Sequence, residues 1–321
     1  MGTKAAAAAT RGDVDLSKES LDKLRARVDA RLQAHFADAG QDGALVCAIR
    51  HSLLSPGKRL RPIITLLACR QSGGDVDDAV DAAAAVEMVH AASLIMDDLP
   101  SMDDARLRRG RLTTHVVFGE NAAMLASVGL LNEAYRVLAT SKAIPCGPRL
   151  RALDRLTRSI GIDGLIGGQQ RDIGSPAAPA DARSLSDVQR GHVEKTGALF
   201  GAAAAIGGEA AHADAETVDL LWAYGCELGL AYQALDDVVD TTTSSEAAGK
   251  DIDQDAGKST VVSFLGAEGA QRAAERWLDR AASSAKAAAT RAAGPGGPVL
   301  LADLAGMIGA KFCTAAGHAR P

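Results

Sequence analysis

Two stretches of the chain carry carboxylates at a density that points either to bound charge or to a solvated face, and the apolar run before the second favours bound charge. In DDLPSMDDARLRRG (97–110), Asp97, Asp98, Asp103 and Asp104 are followed at once by Arg106, Arg108 and Arg109; in LDDVVD (235–240), Asp236, Asp237 and Asp240 follow the apolar run GLAYQAL. Like charges about 4 Å apart repel by roughly 4 kcal/mol at an effective dielectric near 20. Such clusters, with arginines beside the first, call for a cation, an anion, or both. All-oxygen sites without His or Cys suit magnesium, which keeps several waters and binds through one or two carboxylates plus a substrate phosphate. Bare carboxylates repel a diphosphate, whereas magnesium bridges the two and stabilises charge on a departing diphosphate.

At about 100° per residue, Asp236, Asp237 and Asp240 fall within an arc of roughly 100° on one helix face. On an uninterrupted helix Asp97, Asp98 and Asp103 would sit at about 0°, 100° and 240°, too far round to converge. Pro100 lacks an N–H and disfavours helical geometry at Leu99, so the spacing predicts that the helix kinks or ends there. Asp103 can then swing back towards Asp97.

A diphosphate also needs basic groups. GKRLRP (57–62) supplies Lys58, Arg59 and Arg61 in a turn bounded by glycine and proline; Arg108 and Arg109 follow the first acidic cluster; Lys195 lies in EKTGALF; and Lys250 and Lys258 flank the acids of GKDIDQDAGKST. Arginine offers bidentate recognition of phosphate oxygens, and lysine a mobile point charge. GKST (257–260) is not a nucleotide loop, because the glycine such a loop needs five positions earlier is Ile252.

The elements that must position these groups read as helices. Leu21, Leu24, Val28, Leu32 and Phe36 recur at spacings of three and four, and residues 75–96, 121–139, 184–208, 215–240 and 270–293 continue in an alanine-rich helical manner. No run alternates convincingly as a strand. Breaks are expected at 54–62, 144–149, 175–182, 241–259 and 294–298. With 321 residues, 47% hydrophobic, the chain can fill a large core, and the economical reading is a loose tail over 1–14 and one all-α domain, a helical bundle around a central cavity, over 15–321. A net charge of −5 with no basic stripe gives no support to nucleic-acid binding. Five widely spaced cysteines without a CxxC pair fit a reducing cytoplasm, and no uninterrupted apolar stretch of transmembrane length is present.

Taken in order, GKRLRP, VHAASLIMDDLPSMDDARLRRG, GGQQRD (167–172), EKTGAL, YQALDDVVD and GKDIDQDAGKST resemble the trans-isoprenyl diphosphate synthases over about residues 40–265. The resemblance implies an all-helical, usually dimeric enzyme that joins isopentenyl diphosphate to an allylic diphosphate around three magnesium ions, with manganese as a possible substitute. Carried over by position, Asp97, Asp98, Asp103, Asp236, Asp237 and Asp240 bind metal and, with Lys195 and Lys250, form the catalytic set. Arg108, Lys195 and Lys250 contact the allylic diphosphate, and Lys58, Arg61, His90 and Arg109 the isopentenyl diphosphate. Thr196, Gln233, Gln169 and Asp172 fall near the reacting carbons, and Lys258 joins the substrate-binding set. His90 alone reads as a structural histidine; the motif gives it a role. Asp251 and Asp255 are expected to hold Lys250 and Lys258 or a metal-bound water.

The chain departs from common relatives at Ala105 and Arg106, where acids are frequent, and at Val128, where an aspartate often lies; both departures resemble geranylgeranyl diphosphate synthases of bacterial carotenoid pathways. Product length is implied to depend on Ala92 and Ser93, one turn before Asp97, with Met124 and Val128 as an expected pocket floor. A large aromatic at the position of Ala92 caps the product at fifteen carbons in the family, so alanine there implies twenty. Farnesyl diphosphate synthesis and a non-catalytic partner subunit are the alternatives. A terpene cyclase, which lines its cavity with aromatics, is a poor match to a chain only 3% aromatic.

Overall fold

The computed structural model describes residues 15–37, 43–173, 184–242 and 260–317. Helix α1 (Lys18–His35) is capped by the Ser17 side chain and buries Leu24, Val28 and Leu32, the stripe its spacing predicts. Next come α2 (Ala44–Leu53), α3 (Leu60–Gln71) and α4 (Val80–Asp97), the last entered through a short 3₁₀ turn, Val76–Ala79. A two-strand hairpin, β1 (Leu107–Arg108) and β2 (Arg111–Leu112), precedes α5 (Thr114–Phe118), α6 (Glu120–Thr140), α7 (Cys146–Ile160) and α8 (Leu165–Ile173). The remainder is α9 (Leu185–His192), α10 (Ala198–Ala210), α11 (Ala215–Thr242), α12 (Val261–Ala293) and α13 (Leu300–Gly317). The all-α expectation is borne out. The hairpin is an addition to it, since two residues per strand are too few to show an alternation.

A helix that is apolar all round belongs at the centre of a bundle. Every residue of α10 is buried, and α4 is buried from Ala82 to Val89. The span Val76–Asp97 is long and apolar enough to cross a membrane, but 67% of its apolar window is buried, as befits a core helix. Helices α3, α7 and α11 pack on α10, while α6 packs on α4 and α12 on α11. Small residues let these helices approach closely. A Cβ on Gly229 of α11 would come 2.6 Å from the Cα of Gly197, so only glycine permits that crossing.

Residues 184–208, expected as one helix, are divided by a π-helical turn, Val193–Gly197, between α9 and α10. Such turns recur at functional sites, because the wider turn re-aims the side chains it carries; here these are Lys195 and Thr196. Breaks at 54–59 and 294–299 are observed, whereas 175–182 and 243–259 lie outside the described residues.

The basic turn of GKRLRP divides its labour. Arg59 adopts a left-handed conformation (φ 49°) just before α3 and turns inward, donating to Asp29 at 2.8 Å, to Glu87 at 2.7 Å and to the carbonyls of Leu53 and Ser55. Its side chain is 3% exposed and that of Glu87 is 4% exposed. Breaking one side of a buried pair costs about 3–5 kcal/mol, because the other charge is left uncompensated. Arg59→Ala is therefore expected to lower unfolding free energy by about 3 kcal/mol or more, read as a lower midpoint in urea with an unchanged m-value.

Candidate active site

Helix α4 ends where Pro100 requires. The amide of Asp98 reaches the carbonyl of Leu94, the chain turns through Leu99–Met102, and the amide of Asp103 donates to the carbonyl of Asp97 at 2.9 Å. The predicted return of Asp103 towards Asp97 is thus built through the backbone. Asp98 is gripped by Arg108, whose Nε and Nη2 lie 2.7 and 2.6 Å from its Oδ1. Asp97 instead lines a cavity of about 290 Å³ shared with Asp236.

That cavity gathers most of the remaining expected residues: Arg61 and His90 on one side, Arg108 and Arg109 at the hairpin, and Gln169, Lys195, Thr196 and Gln233 opposite. Ser93, Leu94, Leu165 and Leu199 give it apolar wall. The π-turn brings Lys195 and Thr196 to it: Lys195 Nζ donates to Asp172 Oδ2, and Thr196 Oγ1 donates to Gln233 Oε1 at 3.0 Å. Gln233 Nε2 then donates to Asp237 Oδ1 at 2.9 Å, so the second acidic cluster is oriented through the side chain one turn before it. Asp172 accordingly holds Lys195 rather than lining the cavity itself. The side-chain amide of Gln169 is buried at the cavity with neither its oxygen nor its nitrogen bonded to protein.

Charges of both signs are pressed together here. Burial first, then Asp103 and Asp98, push the Asp97 carboxyl up to about 6, against the pull of Lys195 and Arg108. Burial also raises Asp98, opposed by its bonds to Arg108. Burial and the surrounding arginines, led by Arg61, hold His90 well below its ordinary value, so its imidazole is neutral at pH 7. Its Nε2 lies 3.4 Å from Arg61 Nη1. Burial lowers Arg61 to about 10, still fully charged at neutral pH, and its guanidinium stacks 4.3 Å from the centre of the Phe200 ring.

Several residues stand elsewhere than the cavity. Lys58 is exposed, with its Nζ 3.5 Å from the Tyr232 hydroxyl and 5.9 Å from that ring's centre. Ala92 is 1% exposed and does not line the cavity, and the Ser127 hydroxyl of α6 donates to its carbonyl at 2.9 Å; of the chain-length pair only Ser93 meets the cavity. The expected floor is corrected: Met124 and Val128 are 41% and 63% exposed, because α6 turns Ala123, Ser127 and Leu130 inward and these two outward. The side chain of Asp240, and all of Lys250, Asp251, Asp255 and Lys258, lie outside the described residues. Tyr232 and Phe200 were missed from the sequence. The signal available was that a chain with three tyrosines and five phenylalanines sets one of each beside a motif, in EKTGALF and YQALDD.

No three potential ligands among the described residues already form a metal cage. The donor set nonetheless fits a hard cation: carboxylates of two helices reach one cavity, and Asp97 there is raised first by burial and then by Asp103 and Asp98.

Residues 44–293 match the family model for polyprenyl synthetase. The chain belongs to the polyprenyl synthetase family. It is 40% identical over 277 residues to a geranylgeranyl diphosphate synthase of Pantoea ananas, covering 86% of this chain and 90% of that one. Among solved structures it is similar to an FPP/GFPP synthase from Zymomonas mobilis (TM-score 0.77, 29% identity, 90% of this chain and 96% of that one). It is similar also to a geranyltransferase from Helicobacter pylori complexed with magnesium and isoprenyl diphosphate (TM-score 0.76, 27% identity, 93% and 99% covered). The expected fold and the expected prenyltransferase relationship to geranylgeranyl diphosphate synthases are borne out.

The raised Asp97 has a consequence for the metal-free protein. Its folded value, about 6, exceeds the ordinary 3.8, so its ionised form disfavours the fold above pH 6 and this penalty fades as pH falls towards 4. In chelator, Asp97→Asn is expected to raise the melting temperature at pH 7.5 and to lose that advantage near pH 4, as followed by thermal unfolding monitored by circular dichroism.

Proposed function

We propose that this prenyltransferase condenses isopentenyl diphosphate with an allylic diphosphate to give geranylgeranyl diphosphate, through ionisation, addition and proton loss in the cavity between α4 and α11. The observation that carries this reading is that Asp97 and Asp236, each leading an aspartate-rich motif, line one cavity together with Arg61, Arg108, Arg109 and Lys195. The allylic diphosphate sits between the aspartate clusters, with Arg108 and Lys195 on its oxygens; isopentenyl diphosphate sits towards Arg61, His90, Arg109 and Lys58. Magnesium, held by Asp97, Asp98, Asp103, Asp236, Asp237 and Asp240, would supply charge neutralisation and Lewis acidity to the leaving diphosphate. A magnesium-bound structural relative supports that choice of ion; three ions, and manganese as a substitute, follow the family resemblance.

The protein's own part is electrostatic. Two substrates together carry several negative charges, and preorganised cations aimed at the leaving oxygen act where charge develops. Neutral His90 leaves the positive charge of Arg61 undiluted for the second diphosphate. The free amide oxygen of Gln169 and the Thr196–Gln233 pair lie where the C1 cation forms and can stabilise it without forming a bond. The departed diphosphate takes the proton lost from the adduct, so no protein base is required. Leu94, Leu165 and Leu199 exclude water from a cation that hydrolysis would quench.

The exposed apolar face of α6 supports a homodimer: Leu125 is 61% and Val128 63% exposed, with Leu45 and Val117 on neighbouring α2 and α5 at 42% and 45%. The burial of α4 supports a chain that does not span a membrane, and we assign it to the cytoplasm on that ground and on its cysteine usage.

Incubation with labelled isopentenyl diphosphate, magnesium and dimethylallyl, geranyl or farnesyl diphosphate, followed by sizing of the dephosphorylated products, is expected to give a twenty-carbon alcohol. Asp236→Asn should reduce turnover at least about a hundredfold; retention of full activity would overturn the assignment. Ser93→Phe, which intrudes on the cavity directly, and Ala92→Tyr, which enlarges the buried neighbour of Ser93, should both shorten the product, and an unchanged spectrum from both would remove α4 from length control. Leu125→Arg is expected to convert a dimer to monomer in light scattering.

A further inference from the structure

The hairpin that delivers Arg108 and Arg109 is a weak element by itself. It has two residue pairs, Leu107 with Leu112 and Arg108 with Arg111, and its turn takes Arg109 at φ 54° and Gly110 at φ 73°. That is the pattern of a type I′ turn, in which the first position favours Asn or Gly; an arginine in the left-handed region costs about 1–2 kcal/mol. Two strands of this length are not stable alone in water. Arg108 has a separate anchor in Asp98. Arg109, at the tip, has one long bond, Nη1 to the carbonyl of Pro56 at 3.3 Å, and rests against Gly57, where a Cβ would come within 2.4 Å of that nitrogen.

A histidine on α2 supplies what the hairpin lacks. His51 Nε2 lies 2.8 Å from the carbonyl oxygen of Leu112, a contact that requires the hydrogen on Nε2. The other nitrogen is then a bare acceptor, and Arg111 Nη2 donates to it from 3.3 Å. Arg111 Nη1 donates to Ser55 Oγ at 3.1 Å, and the Phe118 ring closes edge-on at 5.5 Å. One imidazole thus grips both the backbone and a side chain of β2, directly across the ladder from Arg108.

We propose that His51 is a positioning residue for substrate binding: it pins β2 to α2 in its neutral Nε2–H form and so holds the strained turn that aims Arg109 at the cavity. The inference rests on the functional reading above, in which Arg109 contacts isopentenyl diphosphate. Neither His51 nor Arg111 lines the large cavity; they share with Arg108 and Arg109 a separate hollow of about 30 Å³ at the hairpin, and their effect on the large cavity passes through the turn.

The test is steady-state kinetics of the full chain with each substrate varied in turn. His51→Leu, which loses both bonds, should raise KM for isopentenyl diphosphate roughly tenfold while leaving kcat and the allylic KM within about twofold, as expected when ground-state and transition-state binding are lost together. His51→Gln, whose amide can donate to Leu112 and accept from Arg111, should recover most of that loss. The exposed Arg111→Met should reproduce the KM effect, and the double variant should be no worse than the larger single. An unchanged isopentenyl KM in both His51→Leu and Arg111→Met, a loss confined to kcat, or glutamine no better than leucine overturns the inference. Hydrogen exchange over 107–113 provides a readout free of turnover: it should accelerate in His51→Leu relative to wild type, and equal rates reject the clamp. Absence of condensation by the wild type would instead defeat the functional reading.

Discussion

The structure is organised around a confined repulsion. Carboxylates from α4 and α11 are brought to one cavity, and a protein does not hold like charges in a half-dry space without compensation. Each compensation is a fold feature. Arg108 takes up Asp98; Gln233 takes up one oxygen of Asp237; and Lys195, held by Asp172, offsets Asp97, on which the turn at Pro100 returns a further carboxylate, Asp103. The residual cost appears in Asp97, raised to about 6. A site left in that condition gains most from a divalent ion carrying an anionic ester, which is the family's substrate class.

Much of this was legible in the sequence because it depends on local rules. The 3.6-residue period showed which stripe of α1 is buried, and the i, i+1, i+4 spacing put the second aspartate cluster on one face. Pro100 forced the return of the first. The illegible parts are those decided by contacts between distant segments. Lys58, Arg59 and Arg61 are chemically similar neighbours, yet a left-handed backbone at Arg59 sends that side chain to Glu87 while Arg61 reaches the cavity and Lys58 stays outside. The π-turn leaves no compositional trace in GHVEKTGALF. The two-pair hairpin is too short for any periodicity. The facing of α6, and with it the places of Met124 and Val128, depends on which side packs on α4, and an alanine-rich helix declares that weakly.

In the proposed reading, product length depends on small side chains more than on motifs. Ser93 meets the cavity, whereas its neighbour Ala92 is buried away from it and its carbonyl accepts from Ser127 of α6. That one fold serves relatives named for different product lengths, such as the Zymomonas FPP/GFPP synthase and the Pantoea geranylgeranyl enzyme, is consistent with a wall set by a few atoms.

Asp97 closes α4, so the first acidic group stands at the carboxyl end of its helix. The aligned peptide dipoles of a helix leave roughly half a negative charge at that end. That helix therefore points its electron-rich pole at the hollow and deepens the potential well before any ligand arrives. Monovalent ions gain half as much from such a well as divalent ones, so discrimination by valence begins in the orientation of one rod, before its side chains add to it.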